Sequence, residues 1–174
     1  MTISELLLPE LELELETTRA VLARMKDEDA EFKPHEKSFI MAHLAQLVTR
    51  LPGWVPMVMN ETELDIAPPA GKSKGQPYSI EKVATLLAEF DRNCDVARES
   101  IRNATDADYQ VPWSFKRAGE VMFTQPRYLA LRTSVLNHLV HHRAQLGLYL
   151  RMTDQKVPQM YGPTADEGKP NQPK

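Results

Sequence analysis

Leu136-Asn137-His138-Leu139-Val140-His141-His142-Arg143-Ala144-Gln145-Leu146 places three of the chain's five histidines inside one helical pattern. Leu131, Val135, Leu139, Leu146 and Tyr149 recur on one face with the period of an amphipathic helix. His138 and His142 stand at i and i+4, about 40° apart around the axis, near the centre of that face. His141 falls at its edge. Buried imidazole nitrogens need partners, and a pair at this spacing is a half-site for a divalent metal. The structural alternative is a set of histidines near a bundle surface, hydrogen-bonded or solvated.

Around this stretch the periodicity predicts a fourth helix from near Pro126 to about Met152. Three more precede it. The first spans about Leu8 to Met25, with Pro9 in its opening turn. Its glutamates, Glu10 through Glu16, read as a solvated face. The second runs from Phe39 to about Asn60 after an N-cap at Ser38, and is interrupted at Pro52-Gly53. The third is capped by Ser79 and extends to about Asn103. A Pro/Gly/Lys loop, Pro68 to Pro77, crosses an end of the bundle between them. Val111-Pro112-Trp113-Ser114-Phe115 and Glu120-Val121-Met122-Phe123-Thr124 flank Lys116-Arg117-Ala118-Gly119 as a short hairpin or irregular cap. Pro112 confines a strand there to a sheet edge. The expected architecture is all-α: one domain over 1–174, a four-helix bundle with long crossover loops and a short cap between helices 3 and 4. Residues 153–174 form an extended tail, frayed beyond Asp166.

Composition narrows the function. A net charge of -3 with scattered Lys and Arg leaves no basic stripe for nucleic acid, the nearest cluster being Lys72-Ser73-Lys74. Leu6-Leu7-Leu8 is cut short by Pro9-Glu10, so neither a signal peptide nor a membrane span is expected, and the cytoplasm is the default location. A single cysteine, Cys94, lies on the apolar stripe Val83, Leu86, Phe90, Ala97, Ile101 and reads as a buried core residue. Glycine-rich phosphate loops and serine triads find no support; Ser134 lies one turn before His138 with no acid to complete a triad.

His43 is the other candidate ligand. It lies on the second helix with Leu47, Arg50 and Trp54 following along its face. Alone it reads as a structural histidine, and it gains interest because a facing helix offers two more imidazoles. His35, after Pro34, is a loop residue. Trp54, Trp113 and Tyr161 are core or pocket-mouth aromatics. Arg143 and Gln145 flank the histidines, with solvation or inter-helix hydrogen bonding as their ordinary explanation.

The segments Thr2–Glu10, Lys33–Ser38, Leu51-Pro52-Gly53-Trp54, Val111–Phe115, Leu136–Leu146 and Tyr161–Glu167 together resemble the DinB/YfiT-like family. The resemblance spans nearly the whole chain. It implies a four-helix bundle, a homodimer, and a three-histidine site for nickel, zinc or a similar divalent cation with an open position. His138 and His142 match the paired ligands of the last helix. The family's second-helix ligand stands seven residues before the tryptophan of Pro52-Gly53-Trp54, where this chain has Leu47. His43 is one turn earlier, about 6 Å along the axis.

The leading expectation is therefore a metal-dependent enzyme of the thiol-transferase type, with the cation held by His138, His142 and His43 and a low-molecular-weight thiol as substrate. The rival is a non-catalytic, stress-related bundle that binds a small ligand or partner through a degraded metal site. Metal-assisted hydrolysis ranks below both, since no general base accompanies the histidines.

Overall fold

The computed structural model describes residues 1–68 and 77–168. The crossover loop expected at Pro68–Pro77 lies mostly outside these, as does the end of the tail from 169.

Helix α1 (Ile3–Leu22) begins earlier than its apolar spacing suggests because Thr2 and Glu5 form a reciprocal capping box. Pro9 consequently sits inside the helix rather than in its first turn. The expected second helix is α2 (Met41–Arg50), a 3₁₀ turn at Leu51–Gly53 and α3 (Trp54–Asn60), broken where Pro52-Gly53 predicts. Ser38 does not cap it. The Met41 and Ala42 amides instead donate to the Phe32 and Ala30 carbonyls, at 2.8 and 2.9 Å.

Helix α4 (Val83–Arg102) likewise starts beyond its expected cap. Ser79 bonds with Gln46, and the Val83 amide donates to the Asp27 carboxylate at 2.8 Å. A short α5 (Asp106–Gln110) follows, closed by a Thr105/Asp108 capping box. The last long element comprises α6 (Arg127–Ala130), a π-helical segment at Leu131–Leu136 and α7 (Asn137–Met152).

Around the bundle the order is α1, α4, α2, α7: α1 packs on α4 and α7, and α2 packs on the same two. Chain neighbours α1 and α2 are thus diagonal, as are α4 and α7, which is the crossover connectivity expected. Leu11, Leu15, Leu22, Leu44, Val48, Phe90, Ala97, Leu139, Leu146 and Leu150 fill the space between them.

The all-α expectation needs correction, because the cap is a three-stranded sheet. Strands β2 (Pro112–Arg117) and β3 (Glu120–Pro126) form the antiparallel hairpin, and β1 (Glu63–Asp65) adds to β2 in parallel. Ala118 and Gly119 both take positive φ, 53° and 84°, as a two-residue hairpin turn of the primed kind requires. The Asp65 carboxylate accepts both their amides, at 3.0 and 2.7 Å. Strand β2 is central, not an edge. Pro112 is tolerated because β1 pairs only with Ser114–Lys116 and never reaches it.

The tail after Thr153 lies along the bundle, with Val157 and Met160 against the core. Arg24 pairs with Glu167 and Arg151 with Asp166. Among the described residues no helix is long and apolar enough to cross a membrane.

Candidate functional site

The site is built from α7, and its setting starts one turn upstream. In the π segment the Asn137 amide reaches back five residues to the Arg132 carbonyl. Such a segment holds one residue more than an α-helix would, so it turns everything downstream by about 100°. The Ser134 carbonyl within it accepts from His138 Nδ1 at 3.3 Å.

His138 and His142 lie side by side as their spacing predicts, with ring centroids 4.7 Å apart. Both are half-buried, whereas His141 is exposed and meets the His142 ring edge-on at 4.8 Å. Trp54, at the start of α3, covers His138 from the opposite element at 5.8 Å. Burial pushes the His138 pKa below 6.5, with further lowering from His142 and His141. Burial also pushes His142 down, against a hydrogen bond to Gln145. Burial thus favours the uncharged form of both rings, in which one nitrogen bears hydrogen and the other a lone pair. His142 Nδ1 lies 2.8 Å from Gln145 Oε1, and the amide nitrogen of Gln145 lies 3.1 Å from His141 Nε2.

His43 does not join the pair. Its ring stacks on Tyr78 at 5.4 Å, and Tyr78 in turn meets Phe39 at 5.9 Å and the Arg50 guanidinium at 5.8 Å. Leu47, where the resemblance places a third ligand, is buried in the apolar core. Among the described residues no three His, Cys, Asp or Glu side chains come together in a way that would hold an ion. The segments 69–76 and 169–174 contain none of these residue types, so neither supplies a third ligand of that kind.

A nickel- or zinc-type catalytic site takes three protein ligands and leaves one position open. This donor set offers two nitrogens, two of the three protein ligands such a site takes, and does not fit the whole.

A solved structure of a DinB-like protein from Bacillus cereus superposes with a TM-score of 0.68, over 92% of this chain and 98% of that one, at 21% identity. The fold is DinB-like. No family model and no curated protein sequence matches the chain.

Within this DinB-like bundle, other sequence candidates take structural places. Cys94 is buried in the core, and burial pushes its thiol up to about 12, against the lowering pull of Arg98. Trp113 is buried, and Trp54 is the tryptophan that borders the histidines. Glu14 departs from the solvated-face reading: it is buried and paired with Arg143. Gln145 gained no role from the sequence beyond flanking the histidines. Its spacings to His141 (i+4) and to His142 (i+3) were the available signal.

Proposed function

We propose that this chain is a DinB-like ligand-binding bundle whose ligand face is the half-buried surface of His138, His142 and Trp54, and whose metal site is reduced to two imidazoles. Leu47 carries this reading. An apolar side chain packed in the core stands where the third ligand is expected, and the nearest substitute, His43, is stacked on Tyr78. A metal–nitrogen bond of about 2 Å tolerates little displacement, so a ligand one helical turn away does not replace one in register. Two adjacent imidazoles beside an indole ring suit a small planar molecule with hydrogen-bonding groups.

Elemental analysis of protein purified without a histidine tag, followed by titration with Zn²⁺ and Ni²⁺, tests the proposal. Substoichiometric metal and weak, exchangeable binding are expected, and Leu47→His should tighten binding sharply. One tightly held metal per wild-type chain would overturn it.

A second reading, a metal-dependent S-transferase using a low-molecular-weight thiol, is supported by the hydrogen bonds that occupy Nδ1 of both imidazoles and, among the described residues, leave both Nε2 atoms available. A thiol-dependent transfer activity that requires added Ni²⁺ or Zn²⁺ and disappears in His142→Ala would establish it.

A further inference from the structure

We infer that Gln145 is the positioning residue of the histidine site: its side-chain carbonyl holds His142 in the Nδ1–H tautomer and so keeps Nε2 as a lone-pair donor beside that of His138. The inference concerns how the proposed ligand face is prepared, and it deepens that reading without depending on which ligand binds.

His138 Nδ1 faces the Ser134 backbone carbonyl, which only accepts, so the ring hydrogen resides on Nδ1 and the lone pair on Nε2. At 3.3 Å this bond is long, and the π segment that contains Ser134 sets it. Among the described residues His142 has no such backbone partner. Its Nδ1 contact is the Gln145 Oε1 at 2.8 Å, a well-formed N–H···O length. An amide oxygen also only accepts, so His142 adopts the same tautomer as His138.

The other half of the amide follows from this orientation. Gln145 Nε2 is only a donor and lies 3.1 Å from His141 Nε2, which therefore accepts. His141 is thus held in the same tautomer, on the exposed side of the helix, where its ring backs onto His142. One amide spans both imidazoles and satisfies each with the matching atom. Turned end for end, it would present its NH₂ to His142 Nδ1, force the hydrogen onto Nε2, and leave a face with one donor and one acceptor. Partners that fix a histidine's other nitrogen are how ligand imidazoles are oriented, and their loss typically weakens metal affinity about 10–100-fold.

The test is long-range ¹H–¹⁵N correlation spectroscopy of the histidine rings in the full chain, without added ligand, at a pH near 8 where the imidazoles are neutral. Wild-type His142 should show a protonated Nδ1 and a bare Nε2. Gln145→Leu should move it toward the Nε2–H form and weaken Zn²⁺, used alone as a probe, about tenfold. Gln145→Glu keeps an acceptor at the same reach and should restore the wild-type ring signature. Gln145 is exposed, so folding should survive each change. A wild-type His142 found as Nε2–H, or a Gln145→Leu ring spectrum identical to wild type, would overturn the inference. Because the tautomer is read without ligand, this outcome is separate from failure of the ligand-binding reading, which the metal content of the wild-type protein decides.

Discussion

Glu14 on α1 and Arg143 on α7 form an ion pair at 2.6 Å, with only 8% and 1% of their side chains reached by solvent. Arg143 also donates to the Glu14 carbonyl and to Thr18, at 3.1 and 3.3 Å. The Tyr161 hydroxyl accepts from Arg143 and donates to the Glu14 carboxylate, each at 2.8 Å. Arg143 follows His142 directly, about 100° around the helix. The pair therefore fixes the rotation of α7 and with it the direction in which the histidines face.

Removing one member leaves the other charge buried and uncompensated. Glu14→Gln or Arg143→Met should destabilise the fold by about 3–5 kcal/mol. The double variant Glu14→Leu/Arg143→Met should recover much of the loss, since it buries no unpaired charge. Urea denaturation of the three variants measures this, and a double variant no better than the singles would contradict it.

Tyr161→Phe removes the hydroxyl that ties the tail to this pair while leaving the ring over Arg143, 5.2 Å away. A loss of about 1.5–3 kcal/mol is expected for a hydrogen bond to charged partners. Hydrogen exchange should report the loss in residues 157–167 before it appears in α4.

Tail docking should also depend on pH. Asp166 is held below 3.8 chiefly by its hydrogen bond to Arg151 and then by the Val157 amide. A carboxylate with a lowered folded-state pKa stabilises the folded form above its unfolded value. That contribution declines once pH drops under about 3.8 and is gone below the folded-state value. Limited proteolysis across this window should show the tail released on acidification in the wild type. In Asp166→Asn the tail should already be loosened at neutral pH, with a flatter pH response.

Cys94, with its thiol near 12, is protonated and inaccessible at pH 8. A disulfide reagent should leave it unmodified in native protein and label one thiol per chain in denaturant. Rapid native labelling would show that α4 opens locally from α1.

Ala118 occupies the left-handed region, which disfavours a side chain bearing Cβ by about 1–2 kcal/mol. Ala118→Gly should be net stabilising by about 0.5–1 kcal/mol once the extra unfolded-state freedom of glycine is subtracted. Gly119→Ala should move stability the other way, and denaturant midpoints will show whether the signs are opposite.

What the amino-acid sequence determined by itself was local. The apolar spacing located the four long helices. The pairing of His138 with His142, with His141 outside it, follows from helix geometry, which holds residues four apart together whatever else the chain does. The hairpin around Ala118-Gly119 is legible because its turn is made by residues adjacent in the chain. Tertiary packing decided everything that required two distant segments to meet. Asp27 caps α4 in place of Ser79, backbone carbonyls at Ala30 and Phe32 cap α2 in place of Ser38, and β1 makes a sheet of the hairpin. Glu14 looks like one of four alternating surface glutamates until Arg143 and Tyr161 arrive from the other end of the chain. His43 shows the limit most clearly. Its place on the second helix was readable, but its ring went to Tyr78, because the direction of a side chain across a bundle is set by which segments pack against it and not by its spacing along its own helix.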